Sequence, residues 1–450
     1  MRLDISFKEN KDRTLVRVMS HQVPIISDTF APPKELRWLY VDFNSFFASV
    51  EQQLDPRLRG KPIAVIPVET DSTCAIAASY EAKAFGVKTG TPIYEAKKMC
   101  PGLICVLAGH EHYVEFHERI LDEIDNHIPV TAVCSIDEMA CSLMKNERSA
   151  ERVTAIAKSI KAGISKNIGE YVRCSIGVAP SKYLAKVATD MQKPDGLTIL
   201  TSEDIPRRLL ELKLRDLPGI GHNIEQRINR AGIYDMQALL KLQPKHMRAV
   251  WGSIWGEKMW YYLRGYDLAD EETHRSTVGH SHVLAPDMRP PHQAYQIARR
   301  LTMKAAARLR RMEYCAGKFS VSFRVENGPR LGLEAPCQPS QDSFVFLTLL
   351  EEMWLELVRE AKNARIKKVN VVLHGLVPEK DLHIQGDLFA PAIAPQKRIK
   401  NEKISKVMDQ LNQKFGKDTV LLGMTPNQGK SFTGTKIAFT RIPDMEEFLE

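Results

Sequence analysis

The stretch Ser135-Ile136-Asp137-Glu138-Met139 places two adjacent acids inside an apolar part of the chain. The flanking segments, Val130-Thr-Ala-Val-Cys134 and Met139-Ala-Cys-Ser-Leu143, are typical of strands. An uncompensated carboxylate is costly in such surroundings, so two acids there need a cation. A further acid ends the strand-like run Leu36-Arg-Trp-Leu-Tyr-Val-Asp42. We therefore expect three carboxylates to converge at the ends of neighbouring strands and to bind a hard divalent metal such as Mg²⁺.

The composition is that of a soluble globular chain with several domains. Its 450 residues exclude a single small domain and predict three to four units of about 60–150 residues each. The net charge of +8 weakly favours a polyanionic partner. Because no apolar run is long enough to cross a membrane and the first residues lack a signal-peptide pattern, we expect a cytoplasmic protein with no membrane partner.

Cysteine spacing argues against a zinc site. The chain has 8 cysteines, none of them in a C-x-x-C pair with accompanying histidines. Several lie in apolar segments, where a free thiol behaves as a small hydrophobic side chain. We therefore expect reduced core cysteines.

Up to about residue 200, the pattern predicts a mixed α/β fold in which helices and strands alternate around one hairpin. The apolar residues Phe46, Phe47 and Val50 indicate a helix capped by Asn44 or Ser45. The other predicted elements are strands at 38–41, 61–66 and 172–178, a strand-turn-strand around the two acids, and helices at 95–98, 110–128, 146–168 and 181–191.

From about Leu200 the chain reads as helical. Asp216-Leu-Pro-Gly-Ile-Gly221, followed by an amphipathic helix at 223–231, resembles a helix-hairpin-helix element. Its glycine-rich turn would present backbone N–H groups of Gly219 and Gly221 to a DNA phosphate. A plain turn between helices is the alternative, and the basic surroundings favour phosphate binding.

A further domain begins near Ser276, after a polar tether. The pattern predicts an arginine-rich helix at 291–311, a half-exposed strand at 318–325, a helix at 344–361 and a second, edge-like strand at 367–374. Arg299, Arg300 and Lys304 either contact a nucleic-acid backbone or form an ordinary solvated helix face, and the sequence alone does not decide between the two. Beyond Pro378 we expect a linker and a tail, with a terminal helix and strand between 397 and 422.

Four motifs occur in a recognisable order: Val41-Asp-Phe-Asn-Ser-Phe-Phe-Ala-Ser-Val-Glu51, Tyr80-Glu-Ala-Lys-Ala-Phe-Gly-Val87, Ser135-Ile-Asp-Glu138, and 181–196 with Lys193-Pro-Asp-Gly196 at its end. Together they resemble the motifs of Y-family DNA polymerases, in particular the DinB-like DNA polymerase IV branch. Motifs in order are far more specific than any single motif.

The resemblance implies a right-hand polymerase of α/β (α+β) class with a helical thumb and a C-terminal little-finger sheet domain. The implied divisions are a leader at 1–35, a palm at 36–46 and 110–199, fingers at 47–109, a thumb at 200–266, a tether at 267–276, a little finger at 277–377, and a linker and tail at 378–450.

The resemblance also implies roles for the acids. Two Mg²⁺ ions about 3.5–4 Å apart would hold the attacking 3′-oxygen and the leaving pyrophosphate in line. Asp42 and Asp137 would bridge the metals, Glu138 would complete the site near the primer 3′-hydroxyl, and the backbone carbonyl of Phe43 would contact the nucleotide-bound metal. The alternative, three unrelated acids that cap helices or turns, does not account for the order of the motifs.

By the same resemblance, Tyr80, Lys83 and Lys193 would hold the triphosphate of the incoming deoxynucleotide (dNTP). Phe47 would be the steric gate, a ring that collides with a ribose 2′-hydroxyl, or else a core residue. Three positions depart from the family pattern: Lys83 replaces a common Arg, and Ser45 and Ala77 replace larger or hydroxyl-bearing residues. Lys is a point charge instead of a bidentate fork, so we expect a weaker triphosphate pocket.

The segment Gln385-Gly-Asp-Leu-Phe389 resembles the short peptide by which bacterial polymerases bind the sliding clamp. Leu388 and Phe389 would fill an apolar pocket on the clamp, Gln385 would bond to the rim of that pocket, and Asp387 lies between them.

Three functions are compatible with these features. The first is a translesion polymerase, monomeric and distributive, acting on primer-template DNA without proofreading because no stretch is left for an exonuclease domain. The second is a catalytically silent, clamp-bound adaptor, but such relatives lose the metal acids and this chain retains them. The third, a palm-fold nucleotidyl cyclase, would need neither the helix-hairpin-helix element nor the basic terminal domain.

Overall fold

The computed structural model describes residues 32–269, 275–381, 393–416, 419–420, 422–423 and 442–443, with side chains of the last helix described from Lys400 onward. The described residues up to 269 belong to one compact unit and those from 275 to 423 to a second. Each unit contains both helices and sheets, so the predicted mixed α/β class is confirmed.

The first unit contains a five-stranded sheet of order β5-β6-β1-β7-β8, in which only the β7–β8 pair is parallel. Its strands are β1 (Trp38–Phe43), β5 (Ala132–Ser135), β6 (Glu138–Ser142), β7 (Cys174–Ala179) and β8 (Leu197–Ile199). Three helices in the same part of the chain are α4 (His110–Asp125), α5 (Ala150–Gly163) and α6 (Lys182–Met191).

Helix α6 lies against β1 and β7 because a glycine removes the side chain that would block it. A Cβ built on Gly177 of β7 would lie 2.1 Å from the backbone oxygen of Ala185. The helix begins at Ser181, whose hydroxyl accepts a hydrogen bond from the Leu184 N–H, as predicted. This close approach brings the polar face of α6 over the end of β1.

A small three-stranded sheet, ordered β3-β2-β4, follows β1 in the chain. It consists of β2 (Ile63–Ile66), β3 (Ala77–Ala78) and β4 (Ile104–Leu107), with α1 (Phe46–Leu54), α2 (Tyr80–Ala84) and α3 (Ile93–Met99) in the same segment. Ser45 is the N-cap of α1 but its side chain makes no capping hydrogen bond, so only the position of the predicted cap is confirmed.

The helical part that follows shares its core with α6. It consists of α7 (Ile205–Leu210), α8 (His222–Arg230), α9 (Met236–Leu240), α10 (Pro244–Trp251) and α11 (Ile254–Tyr262). Leu184 and Ala188 of α6 belong to the same apolar cluster as Ile228, Met247 and Met259. The change in composition near residue 200 therefore marks a change from sheet to helices within one compact unit.

The second unit is a four-stranded antiparallel sheet of order β11-β10-β12-β9. Its strands are β9 (Thr277–Val283), β10 (Tyr314–Val325), β11 (Arg330–Ser340) and β12 (Ile366–Pro378), and its helices are α12 (Pro291–Arg311), α13 (Ser343–Glu360) and α14 (Ile393–Phe415). Apolar side chains of alternate residues in β10 and β12 pack under α12 and α13 in one core.

The C-terminal helix α14 packs on this second unit. The guanidinium of Arg310 in α12 donates to both carboxylate oxygens of Asp409, at 2.6 and 2.8 Å. The predicted terminal helix is therefore confirmed. The described residues beyond it, 419–420 and 422–423, are not in a strand.

One strand prediction is wrong. The segment 367–374 was expected at a sheet edge, but β12 lies between β10 and β9. Its edge neighbour, Thr277–Val283, is too polar to read as a strand from the sequence, although it pairs with β12 from Lys368 to His374.

The cysteines bear out the expectation of reduced thiols, although Cys74 is exposed and does not lie in the core. All eight cysteines are free thiols, as expected. Among the described residues, no helix combines the length and apolarity needed to cross a membrane. Most of the predicted leader lies outside the described residues.

Candidate active site

The three predicted acids meet at one corner of the five-stranded sheet. Asp42 of β1 and Glu138 of β6 are directly opposite each other across the antiparallel pair. Asp137 lies in the turn before β6, and its backbone carbonyl accepts a hydrogen bond from the Phe43 N–H at 2.8 Å. The side chain of Asp137 accepts another from the Ser135 hydroxyl at 2.6 Å. The expected convergence of Asp42, Asp137 and Glu138 is therefore found.

Two lysines neutralise part of this acidic corner. The ammonium of Lys186 contacts Asp42 and lies 2.9 Å from Glu138 Oε1. Lys193 Nζ lies 2.8 Å from Asp42 Oδ1. Since Asp42 is only 4% exposed, it is a buried carboxylate between two cations. Such a group is stable only while its charge partners stay in place.

Asp190 is a second acceptor for both lysines. Its carboxylate lies 3.4 Å from Lys186 Nζ and 2.8 Å from Lys193 Nζ. Lys186 and Asp190 are four residues apart on one face of α6, and Lys193 follows three residues later, after the helix has ended. Sequence reasoning missed Lys186 and Asp190, although this spacing of opposite charges was a visible signal.

Of the three acids, Asp137 is the one that makes no ion pair with any described residue. Burial, together with the charges of Asp42 and Glu138, raises the pKa of Asp137 to about 6, although the Ser135 hydrogen bond and the charge of Lys186 act in the opposite direction. By contrast, the pKa of Lys186 is raised, because Asp42 and Glu138 outweigh the effect of its burial. The corner therefore favours additional positive charge at Asp137.

These residues fit a divalent metal by their chemistry. Carboxylate oxygens and a backbone carbonyl are hard donors of the kind that Mg²⁺ takes, and the two ammonium groups already hold positive charge against Asp42 and Glu138. In the part of the chain that is described, no three Asp, Glu, His or Cys side chains are grouped as a ready metal cage. The ammonium groups of Lys186 and Lys193 lie against the oxygens of Asp42 and Glu138 in this structure.

Tyr80 and Lys83 lie near the same charges. Tyr80 is the first residue of α2, and Lys83 Nζ lies 4.5 Å from the centre of its ring. Burial raises the pKa of Tyr80, and desolvation together with nearby Lys193 lowers that of Lys83. Both residues interact electrostatically with Asp42 and Lys193. The structure thus brings the three predicted triphosphate residues together beside the acids.

Phe47 and Phe46 differ in environment. Phe46 is 3% exposed and belongs to the core, whereas Phe47 is half-buried. The ring of Phe47 stacks on Tyr113, with centroids 4.2 Å apart and planes at 11°. The Tyr113 hydroxyl donates to Glu51 at 2.5 Å and accepts from the Gly109 N–H at 3.2 Å. Phe47 is therefore a fixed ring on the first helix after β1.

Ser45 and Ala77 are two of the three positions that depart from the pattern of the family named above. Ser45 has a left-handed backbone, with φ 50°, and its hydroxyl oxygen is buried without a hydrogen-bond partner among the described residues. Ala77 is buried in the short strand β3. Neither supplies a bond to a neighbouring group that would compensate for the missing larger side chain.

The predicted helix-hairpin-helix turn has an open surface. Gly219 has φ +90°, a conformation that favours glycine, and Gly221 is the N-cap of α8. A Cβ built on Gly221 would meet no atom within 4 Å. Gly219 and Gly221 are also exposed, so the start of α8 is open to solvent on this side.

Arg299, Arg300 and Lys304 lie on α12, on the helical side of the four-stranded sheet. Arg299 donates to the backbone oxygen of Leu422 at 2.9 Å. Arg300 and Lys304 lie near His282 of β9, whose pKa is lowered by burial and by their charges. All three are half-buried, so they are not the fully solvated face that one of the two interpretations required.

The opposite face of that sheet is polar and is covered by neither α12 nor α13. In the register of β10 with β12, Lys318 faces His374, Ser320 faces Val372, and Arg324 faces Lys368. Lys318, Arg324 and Lys368 are exposed. The alternation in β10 predicted a half-exposed strand, but these basic residues were not assigned to a site. Gln385, Asp387, Leu388 and Phe389 lie outside the described residues.

Comparison with protein families covers most of the chain. Residues 41–190 match the impB/mucB/samB family, residues 215–267 the thumb domain of DNA polymerase iota, and residues 275–388 the C-terminal domain of the impB/mucB/samB family. These matches run in the same order as the sheets and helices described above.

Relatives named DNA polymerase IV are similar over nearly their whole length. DNA polymerase IV of Moorella thermoacetica is 30% identical over 413 residues, which cover 89% of this chain and 97% of the relative. DNA polymerase IV of Pelotomaculum thermopropionicum is 31% identical over 406 residues, covering 86% and 95%. DNA polymerase IV 1 of Bacillus subtilis is 28% identical over 411 residues, covering 89% and 96%.

Solved structures of Y-family DNA polymerases are also similar to this chain. A Y-family DNA polymerase chimera built from Dbh and Dpo4 superposes with a TM-score of 0.65 at 25% identity, covering 76% of this chain and 99% of the chimera. An insertion ternary complex of Dbh DNA polymerase has a TM-score of 0.50 with the same identity and coverage.

Proposed function

Because the chain belongs to the Y family of DNA polymerases, on its DinB-like DNA polymerase IV branch, it is a DNA-directed translesion polymerase, and we propose that Asp42, Asp137 and Glu138 form its catalytic centre. One observation carries this proposal: the three acids meet at one sheet corner, where Lys186 and Lys193 supply the positive charge. As a DNA polymerase, the chain binds primer-template DNA and dNTPs, and its structural relatives include an insertion ternary complex and a post-insertion binary complex of Dbh DNA polymerase. No feature of the described residues favours the adaptor alternative.

Y-family polymerases depend on divalent metal ions. We propose two Mg²⁺ per site, held by the carboxylates of Asp42 and Asp137, with Glu138 and the carbonyl of Phe43 completing the set. When bound, the ions offset the charge that develops on the attacking 3′-oxygen and on the leaving pyrophosphate. Asp137 contributes a carboxylate that is poorly compensated without metal, and it therefore gains most from an added cation.

Each lysine has an acid partner besides the proposed metal ligands. Lys186 and Lys193 hold the acids in the metal-free protein, and Asp190 lies within 3.4 Å of both ammonium groups. When the acids are taken by metal, Asp190 retains Lys186 close to the site. Lys193, with Tyr80 and Lys83, is then free to bind triphosphate oxygens. Lys83 makes this contact as a point charge, so we keep the expectation of a weaker pocket than an Arg would give.

Phe47 is proposed as the steric gate. A side chain can exclude a 2′-hydroxyl only if it does not yield, and the stack on Tyr113 restrains the Phe47 ring. The half-buried position agrees with this role better than with a core role, which Phe46 fills.

The remaining proposals concern DNA and partners. Gly219 and Gly221 would contact a phosphate through the backbone at the start of α8. In the little finger, Arg299, Arg300 and Lys304 are proposed contacts, joined by the exposed residues of the open sheet face. We also propose that Gln385 to Phe389 bind the sliding clamp. We further propose that the protein is a cytoplasmic monomer. Its domain divisions are proposed to be those given under the sequence analysis.

The test is primer extension by the purified chain on an undamaged primer-template with Mg²⁺. The intact protein should extend with dNTPs, and Asp137→Asn should reduce extension by about 10³-fold. Phe47→Ala should extend with dNTPs but also incorporate ribonucleotides, whereas Phe85→Ala, which changes an exposed phenylalanine, should not. Extension by Asp137→Asn at the rate of the intact protein would remove the proposed catalytic centre.

A further inference from the structure

The two carboxylate oxygens of Glu138 are held by different groups. Lys186 Nζ lies 2.9 Å from Oε1, and the hydroxyl of Tyr40 donates to Oε2 at 2.8 Å. Lys186 has other acceptors, because it also contacts Asp42 and Asp190. Lys186 can therefore leave Oε1 of Glu138 and still keep an acid partner.

The position of Tyr40 follows from the strand register. Tyr40 and Asp42 are two residues apart in β1, so their side chains emerge on the same face of the sheet. Ala140 is the residue opposite Tyr40, and Glu138 lies two positions before Ala140 in β6. Tyr40 and Glu138 are thus diagonal neighbours, close enough for a long side chain to bridge.

The ring of Tyr40 is anchored independently of Glu138. Tyr40 is 5% exposed and belongs to the apolar cluster that includes Leu184 and Ala188 of α6. A buried phenol needs a hydrogen-bond partner for its hydroxyl, and here the hydroxyl donates to an acid of the proposed catalytic centre, with the Cys134 thiol as a second neighbour. Packing in the core therefore fixes the Tyr40 ring, and the hydroxyl of that ring restrains the Glu138 carboxylate through its hydrogen bond.

We propose that Tyr40 is a positioning residue for Glu138: its hydroxyl fixes Oε2, so that Oε1 stays available to the metal site when Lys186 withdraws. This inference rests on the proposed function. It assigns a task to a residue that the sequence shows only as part of a buried strand, and it requires no contact between Tyr40 and metal or substrate. Removal of the hydroxyl should loosen Glu138 while leaving nucleotide binding intact.

The test compares Tyr40→Phe with Tyr183→Phe. Tyr183 is a matched control, because its hydroxyl donates to the Pro218 backbone oxygen at 3.0 Å in the same core cluster and touches none of the three acids. Tyr40→Phe should lower kcat about tenfold with KM for dNTP changed less than twofold. Tyr183→Phe should change neither constant more than twofold. Thermal melts of both metal-free variants show whether each is folded.

A second readout does not depend on turnover. Mn²⁺ is titrated by calorimetry into the complex of enzyme, dNTP and a primer that ends in a dideoxynucleotide. Tyr40→Phe should weaken Mn²⁺ binding about three- to tenfold, but it should cause no further change in a Glu138→Gln background. Equal Mn²⁺ affinity in Tyr40→Phe and Tyr183→Phe, or an undiminished effect of Tyr40→Phe in the Glu138→Gln background, would overturn the proposal.

The same variants separate this inference from the proposed function. If Glu138→Gln copies DNA normally, the catalytic centre is wrongly assigned and the role of Tyr40 fails with it. If Glu138→Gln is inactive while Tyr40→Phe retains the kcat of Tyr183→Phe, only the positioning role fails.

Discussion

The two larger sheets of this protein differ in where their charged side chains lie: in one they are buried in ion pairs, and in the other they are exposed. In the five-stranded sheet, Asp42 is 4% exposed and contacts the ammonium groups of Lys186 and Lys193. In the four-stranded sheet, Arg324 and Lys368 lie on an open face in contact with solvent. Buried pairs act over short distances and are screened little by salt, whereas exposed charges act at long range and are screened strongly. The first arrangement suits chemistry at fixed atoms, and the second suits a polyanion that must slide.

The largest effect should come from breaking the buried pairing. Asp42→Asn leaves Lys193 without one of its two acids and Lys186 without one of its three. Removal of one partner of a buried ion pair is strongly destabilising, so the free energy of unfolding should fall by about 2–3 kcal/mol. Urea unfolding of the metal-free protein measures this.

The matched substitution is Asp71→Asn, since Asp71 forms an exposed pair with Lys97 at 2.6 Å. It should change the free energy of unfolding by less than about 0.5 kcal/mol. Similar losses for Asp42→Asn and Asp71→Asn would contradict the distinction between buried and exposed charge.

The exposed charges should make the affinity for primer-template DNA depend on salt concentration. Replacement of Lys318, Arg324 and Lys368 by alanine removes three cations from the open sheet face. The slope of log affinity for primer-template against log salt should become shallower by about 2 to 3, while kcat at saturating DNA stays unchanged. Fluorescence anisotropy at several salt concentrations provides the slope.

Replacement of Arg299, Arg300 and Lys304 by alanine tests which side of this sheet contacts DNA. Because these side chains are half-buried and Arg299 already binds the Leu422 carbonyl, we expect a smaller change in slope. A larger change for this helix variant than for the sheet variant would assign DNA to the helical side instead.

The smallest predicted effect is a pH dependence confined to the buried corner. Burial raises the pKa of Asp137 to about 6 in the metal-free protein, so below that pH a cation must displace a proton. The apparent affinity for Mg²⁺ should fall as pH drops below 6, by up to about tenfold per unit, and should level off above pH 7. Half-saturating Mg²⁺ in primer extension, measured from pH 5.5 to 8, follows this change. An affinity that is flat across this range would mean that Asp137 is not a ligand.

Most strands and helices that carry these charged residues were predictable from the local sequence. Apolar runs around the acids predicted β1, β5 and β6, and Ser181 marked the start of α6, since caps and burial patterns are encoded within a few residues. The helix predicted at 291–311 is α12, Pro291–Arg311.

What depends on distant residues was not predictable. The central position of β12 is set by its pairing with Thr277–Val283, about 90 residues earlier in the chain. Lys186 and Tyr40 look like a helix surface residue and a core residue until β6 pairs with β1 and Gly177 lets α6 approach. The charge pairs of the site are therefore a product of tertiary structure.

If the acidic corner is built for catalysis at the expense of metal-free stability, Asp137→Asn should separate the two properties. With its pKa raised above the unfolded value, Asp137 lowers stability as pH rises from about 4 to 6, and the full cost persists above that range. Asparagine keeps an oxygen for Ser135 but carries no charge. Without metal at pH 8, the free energy of unfolding of Asp137→Asn should rise by about 1–2 kcal/mol, while primer extension is lost. A variant that still extends primers, or that is less stable than the intact protein, would contradict this account.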